Sequence, residues 1–231
     1  MQLEKAVMAK ILVTLGDSWP IGGELKLDQG EVPYGNLLQV SMGFDKLHNY
    51  GSGGASNEDM LYQLQRFVTE SWTPGDSVTV ICFLTNPARS AHWPRFGTWN
   101  EQDREWKHWP IDAKEWAREL FMHFHRNEHE VMRSSATVTT LQSWCKHHQF
   151  VDYYFAGWVR YSTWLPGVDT DKIWAQGNET AADWFGATNH NGEHLLNGKG
   201  NQYIHPNLTH PNQLGHALIA KKLQAWIQSA Q

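Results

Sequence analysis

The sequence predicts an α/β fold, a three-layer α/β/α sandwich around a short parallel sheet. Three observations predict it. Short aliphatic and β-branched runs recur along the chain, as buried strands require. Segments with apolar residues at helical spacing lie between them. Strands that alternate with helices form βαβ units, whose right-handed crossovers make neighbouring strands parallel.

Lys10–Leu15 is the first predicted strand, ending at Gly16-Asp17-Ser18. A weaker strand is predicted around Gln39–Leu47. Asn57–Ser71 carries Met60, Leu61, Leu64, Phe67 and Val68 at helical spacing, with Asn57 at the N-cap position. Ser77–Leu84 is a continuous apolar strand. Asp112–Phe124 opens on Asp112 with Glu115 three residues on, a capping-box arrangement, and helical character continues towards His148 with a break near Ser134-Ser135. Phe150–Phe155 is the fourth strand. Leu214–Ile227, with Leu214, Ala217, Leu218, Leu223, Trp226 and Ile227, is the clearest amphipathic helix. The expectation is one domain over 1–231, with Trp-rich insertions near 92–109 and 162–204. Loops of that length are usually functional or mobile. Each either walls a substrate cleft or is a surface loop anchored by its Trp side chains.

Composition narrows the function. Formal net charge is −5 and no Lys/Arg cluster stands out, so no nucleic-acid partner is expected. No apolar run approaches the ~20 residues of a membrane span, so no membrane partner is expected. Ala6–Ala9 is cut by Lys10, too short for the apolar region of a signal peptide. Cys82 and Cys145 make no disulfide framework, and Cys82 reads as a buried small hydrophobe. The chain holds 13 Trp and 13 His, and Trp suits stacking on sugar rings as well as filling a core.

The chemistry concentrates at two places far apart in sequence. Ser18 sits in a Gly-bearing turn directly after a strand, where its hydroxyl can face a ligand at the carboxyl edge of a sheet. A nucleophile needs a base. Asn207-Leu-Thr-His210-Pro-Asn212, just before the C-terminal helix, offers His210. His205-Pro-Asn207 repeats the same tripeptide, but Gln202 is a poorer orienter than Asn207, and His210 immediately precedes the helix that would hold it.

These residues carry a resemblance. Gly16-Asp17-Ser18, Asn49-Tyr-Gly-Ser-Gly-Gly54-Ala-Ser-Asn57, the strand Val78–Leu84 followed by Thr85-Asn86, and Asn207–Asn212 resemble, in order, the four sequence blocks of the SGNH (GDSL) hydrolases. Ser18-Trp-Pro-x-Gly-x-Glu-Leu25, Gly54-Ala-Ser-Asn57 and Thr85-x-x-x-Arg89 resemble a bacteriophage branch of such proteins. The resemblance implies a flavodoxin-like sheet and hydrolysis of a carboxylic ester. Ser18 would be the nucleophile, His210 the general base and Asn207 its orienter. The backbone N–H groups of Ser18 and Gly54 and the Asn86 amide would form an oxyanion hole. Trp19, Arg89 and Trp93 are the expected substrate contacts. A small-molecule or carbohydrate ester is the expected partner, no metal or organic cofactor is implied, and the cytoplasm and the phage virion are both open locations.

Two departures matter. Asn207 stands where the family has Asp, and the comparable change in a serine-protease triad costs about 10⁴ in kcat. An amide oxygen can nevertheless accept from His Nδ1–H. Thr85-Asn86-Pro87 lacks the glycine and aspartate that flank the family's asparagine, so Thr85 is an alternative donor to Asn86. These departures motivate an alternative: a carbohydrate-binding or virion structural protein that keeps the fold with attenuated catalysis. A rival motif, His125-Arg-Asn-Glu128-His129, spells the inverted zinc-peptidase signature. A solvated helix face is the preferred account of it. His216, inside the C-terminal helix, reads as a packed or exposed helix histidine.

Overall fold

The computed structural model describes residues 8–87, 127–161, 163–187, 201–205 and 210–230. Four strands, β1 (Lys10–Leu15), β2 (Lys46–Asn49), β3 (Ser77–Leu84) and β4 (Val151–Ala156), form one sheet in the order β2-β1-β3-β4. The three pairings among these strands are all parallel. That is the flavodoxin-like order, and its switch point lies between β1 and β3. The expected three-layer sandwich is what the chain forms.

Side chains that alternate along each strand sort into two cores. Ile11, Val13, Leu15, Val78, Val80, Cys82 and Leu84 face α2 (Asp59–Glu70) and α3 (Asn127–His148), which contribute Met60, Leu64, Phe67, Val138, Leu141 and Cys145. Leu12, Ile81, Phe83 and Phe155 face the opposite way. They meet α1 (Tyr34–Met42), α4 (Ala181–Trp184) and α5 (Gln213–Ser229) through Tyr34, Leu38, Ala182, Ile219, Leu223 and Ile227.

Several expected elements differ. The second strand is shorter and later than Gln39–Leu47, because Gln39–Met42 is the end of α1. Val40, Met42 and Phe44 alternate like a strand, but Val40 is 84% exposed. Gly43, in the left-handed region, ends the helix by donating its N–H to Gln39 and Val40 carbonyls. Asn57 does not cap α2. Ser56 and Asp59 cap it reciprocally: Asp59 Oδ2 accepts from Ser56 N and Oγ, and Asp59 N donates to Ser56 Oγ.

No break occurs at Ser134-Ser135, since α3 runs unbroken through both. Both serines are buried, and Ser135 Oγ accepts from Leu165 N at 3.1 Å, so they serve packing rather than helix termination. The described part of 162–204 is not a loose loop. Ile173 and Thr180 bridge to β4, Trp184 is buried on the sheet, and Trp174 packs edge-on against it. The expected helix over 112–124 and the 92–109 insertion lie outside the described residues.

Candidate active site

Because every strand is parallel, the turns after β1, β2, β3 and β4 meet at one edge of the sheet. Ser18 lies in the first of them and His210 just before α5. The structure brings Ser18 Oγ to 2.7 Å from His210 Nε2 across 192 residues of chain. With the imidazole proton on Nδ1, the Ser18 hydroxyl donates to Nε2.

Both partners are held by backbone. Gly23 N donates to Ser18 O at 2.7 Å, closing the turn under the nucleophile. Asp17 is buried, and its Oδ1 accepts from Trp19 N at 3.0 Å. Gln63, reaching from α2, grips Gly16 on both sides of its Cα: its Oε1 accepts from Gly16 N, and its Nε2 donates to Gly16 O. On the other side, Ile204 and Pro211 form an antiparallel bridge, and His210 O accepts from His205 N. Asn212 caps α5 two residues later, accepting from Leu214 N and Gly215 N.

The turn after β2 supplies Gly51 and Gly54. Gly54 is exposed, with a φ of +75° and, among the described residues, no neighbouring atom within 4 Å of where a Cβ would stand. Its glycine is demanded by backbone conformation, not by close packing. Among the described residues, the N–H groups of Ser18 and Gly54 donate to no protein atom.

After β3, Thr85 is buried and Asn86 exposed. Thr85 Oγ1 donates to Asp17 Oδ2 at 2.8 Å. Thr85 N donates to Asn57 Oδ1 at 2.9 Å, Asn57 Nδ2 donates to Tyr161 Oη at 2.7 Å, and Tyr161 Oη donates to Thr85 O. Sequence reasoning missed Gln63, Tyr161 and the true use of Asn57. All three are buried polar residues, which nearly always find partners, but nothing in their spacing says which.

Trp19, an expected substrate contact, is only 3% exposed. It stacks on Phe83 and Phe185 and meets Trp158 edge-on, so it is core beneath the site. Arg89, Trp93 and Asn207 lie outside the described residues, as does His125. His129 is exposed, and among the described residues no group of three His, Cys, Asp or Glu is placed to hold a metal ion. His216 is fully buried. Its Nδ1 accepts from Tyr34 N, and burial, with His205 and His210 nearby, lowers its pKa to about 3. Among the described residues, no helix is long and apolar enough to cross a membrane.

Fold and site together define a class: a parallel α/β protein with a hydrogen-bonded Ser–His pair at the sheet's switch point. No family model matches the chain, and no curated protein matches it. Solved structures to which it is similar include a lipolytic G-D-S-L family member from Veillonella parvula, at 15% identity and a TM-score of 0.45, covering 94% of this chain and 97% of that one. A second, described as a putative lipolytic protein of the G-D-S-L family, from Desulfitobacterium hafniense, stands at 10% identity and a TM-score of 0.48, covering 94% and 99%. A psychrotrophic esterase from Pseudoalteromonas sp. stands at 12% identity and a TM-score of 0.48, covering 95% and 97%. Likeness at that level concerns the course of the backbone and not the reacting atoms.

Proposed function

We infer that this chain hydrolyses carboxylic esters through an acyl-Ser18 intermediate. The observation that carries the reading is the 2.7 Å approach of Ser18 Oγ to His210 Nε2. Ser18 Oγ attacks the ester carbonyl while His210 Nε2 takes its proton. The carbonyl oxygen becomes an oxyanion and accepts from the N–H groups of Ser18 and Gly54 and from the Asn86 side-chain amide. One such donor is worth roughly 3–4 kcal/mol of barrier. Thr85 is the poorer third donor, because its hydroxyl already donates to Asp17. The tetrahedral species collapses and the alkoxide leaves with the proton from His210. Water, activated by the same imidazole, then cleaves the acyl-enzyme and regenerates Ser18. Asn207, three residues before His210, supplies the amide oxygen that orients Nδ1–H. Arg89 and Trp93 contact the substrate, a small-molecule or carbohydrate ester.

Hydrolysis of p-nitrophenyl acetate by the wild type and by Ser18→Ala tests the reading. The expected outcome is a fall in kcat of about 10³-fold or more, leaving the residue that binding and oxyanion donors sustain alone. Equal rates in the two proteins, or none in either, would remove the esterase reading.

A further inference from the structure

Three hydrogen bonds close a ring on one residue at the carboxyl edge of β3. Thr85 N–H goes to Asn57 Oδ1, Asn57 Nδ2–H to Tyr161 Oη, and Tyr161 O–H returns to Thr85 O. Donor and acceptor roles orient the Asn57 amide. A backbone N–H can only donate, so the Asn57 oxygen must face it and the amide nitrogen must face Tyr161. The phenol donates to the Thr85 carbonyl, with the Ser134 hydroxyl also beside it. All three residues are buried, so water does not compete, and each bond polarises the next. Burial also raises the Tyr161 phenol well above its ordinary range, keeping its proton in place. The fourth attachment, Thr85 Oγ1 to Asp17 Oδ2, ties the ring to the residue before Ser18. Thr85 is thus held at its N–H, its carbonyl and its hydroxyl.

The Thr85 carbonyl belongs to the same planar peptide as the Asn86 N–H. Fixing that carbonyl fixes the plane from which Asn86 departs. We propose that Tyr161 is a positioning residue that, through Thr85, sets the Asn86 amide relative to Ser18. Tyr161 follows β4, Asn57 precedes α2 and Asp17 follows β1. One clamp therefore ties the turn after β3 to the three other turns around the site. The inference rests on the hydrolase reading above and adds a residue to it.

The test is a double-mutant cycle on the full chain with p-nitrophenyl acetate. Tyr161→Phe removes only the hydroxyl. It is expected to lower kcat about 10- to 100-fold and leave KM within about twofold, since a displaced oxyanion donor is lost mainly in the transition state. In an Asn86→Ala background the same substitution is expected to cost less than about twofold, because the group it positions is gone. An equal loss in both backgrounds, or no loss in either, would overturn the proposal while Ser18-dependent turnover of the wild type still stands. If Ser18→Ala keeps full turnover, the hydrolase reading itself falls and takes the proposal with it. Should Tyr161→Phe not fold, Asn57→Ala carries the comparison, because it removes the amide that orients the phenol. It is expected to lower kcat about tenfold or more in the wild type and by less than about twofold in the Asn86→Ala background. Equal losses in the two backgrounds would overturn the proposal as well.

Discussion

Gly51 and Gly54 stand three residues apart in the turn after β2, and the turn needs them for different reasons. A Cβ on Gly51 would lie 2.8 Å from Pro20 Cβ and 2.9 Å from Asp17 O, both part of the nucleophile turn or fixed to it. Neither neighbour is a flexible side-chain end, so the backbone itself must move. Among the described residues a Cβ on Gly54 meets nothing, but the residue adopts a φ of +75°. Gly54→Ala is therefore expected to cost the left-handed penalty of about 1–2 kcal/mol and to keep its N–H in place. Gly51→Ala is expected to cost about 1–3 kcal/mol through overpacking and also to displace Ser18, lowering kcat. Urea unfolding with parallel rate measurements separates them: similar stability losses, with the kcat loss confined to Gly51→Ala. A kcat loss at Gly54 alone would contradict the assignment.

At the scale of elements, a side chain that begins a helix can also tie that helix to a neighbouring segment. Asn212 shows this most clearly. Its Oδ1 accepts from Leu214 N and Gly215 N at 3.0 and 3.1 Å, and its Nδ2 donates to Gln202 O at 2.8 Å. It starts α5 and ties that start to the strand-like segment beside His210. The buried residues of α5, Gly215, His216, Ile219, Ala220, Leu223 and Ile227, recur at helical spacing and seat it on the sheet beside α1. Asn212→Ala is expected to lower unfolding free energy by about 1–2 kcal/mol, the usual worth of an N-cap. Because His210 is two residues away, kcat is also expected to fall several-fold. Chemical denaturation and steady-state rates on the same preparation check both. An unchanged kcat with lowered stability would show that the cap does not hold the imidazole.

Across the whole molecule, His216 joins α5 to α1 through the Tyr34 N–H at its Nδ1 and stacks on the Tyr34 ring. Its folded pKa of about 3 lies below the ordinary histidine value of 6.5. Between those two values the unfolded chain binds a proton that the folded chain does not. Unfolding free energy therefore rises with pH across that window and is level above it, with a slope of about 1.4 kcal/mol per pH unit from this one group. Replacing His216 by Gln removes the titration. The wild type is expected to lose stability faster than His216→Gln as pH falls from 6.5 to 4.5, as thermal or urea unfolding across that range would record. Parallel pH profiles would mean that His216 takes up its proton without unfolding.

Much of the architecture was legible because hydrophobic period is a local property. Lys10–Leu15 and Ser77–Leu84 could be read as strands from runs too apolar and too short for anything else, and Leu214–Ile227 as a helix from its spacing. Local pattern failed at Gln39–Leu47, where an exposed Val40 mimicked alternation, and at Ser134-Ser135, where packing against Leu165 overrides the weak helix preference of serine. Ser18 and His210 were legible as a nucleophile and a base in suitable local settings. Their 2.7 Å meeting was not, because it depends on how the sheet orders its strands. The same holds for the partners of Asp17, Asn57, Thr85 and Tyr161. By itself the sequence determined most of the strand and helix segments and which residue types stand at the turns. Only the tertiary structure decided which buried donor meets which acceptor and which Trp is core. Those choices turn on distances between segments far apart in the chain, and local periodicity carries no such information.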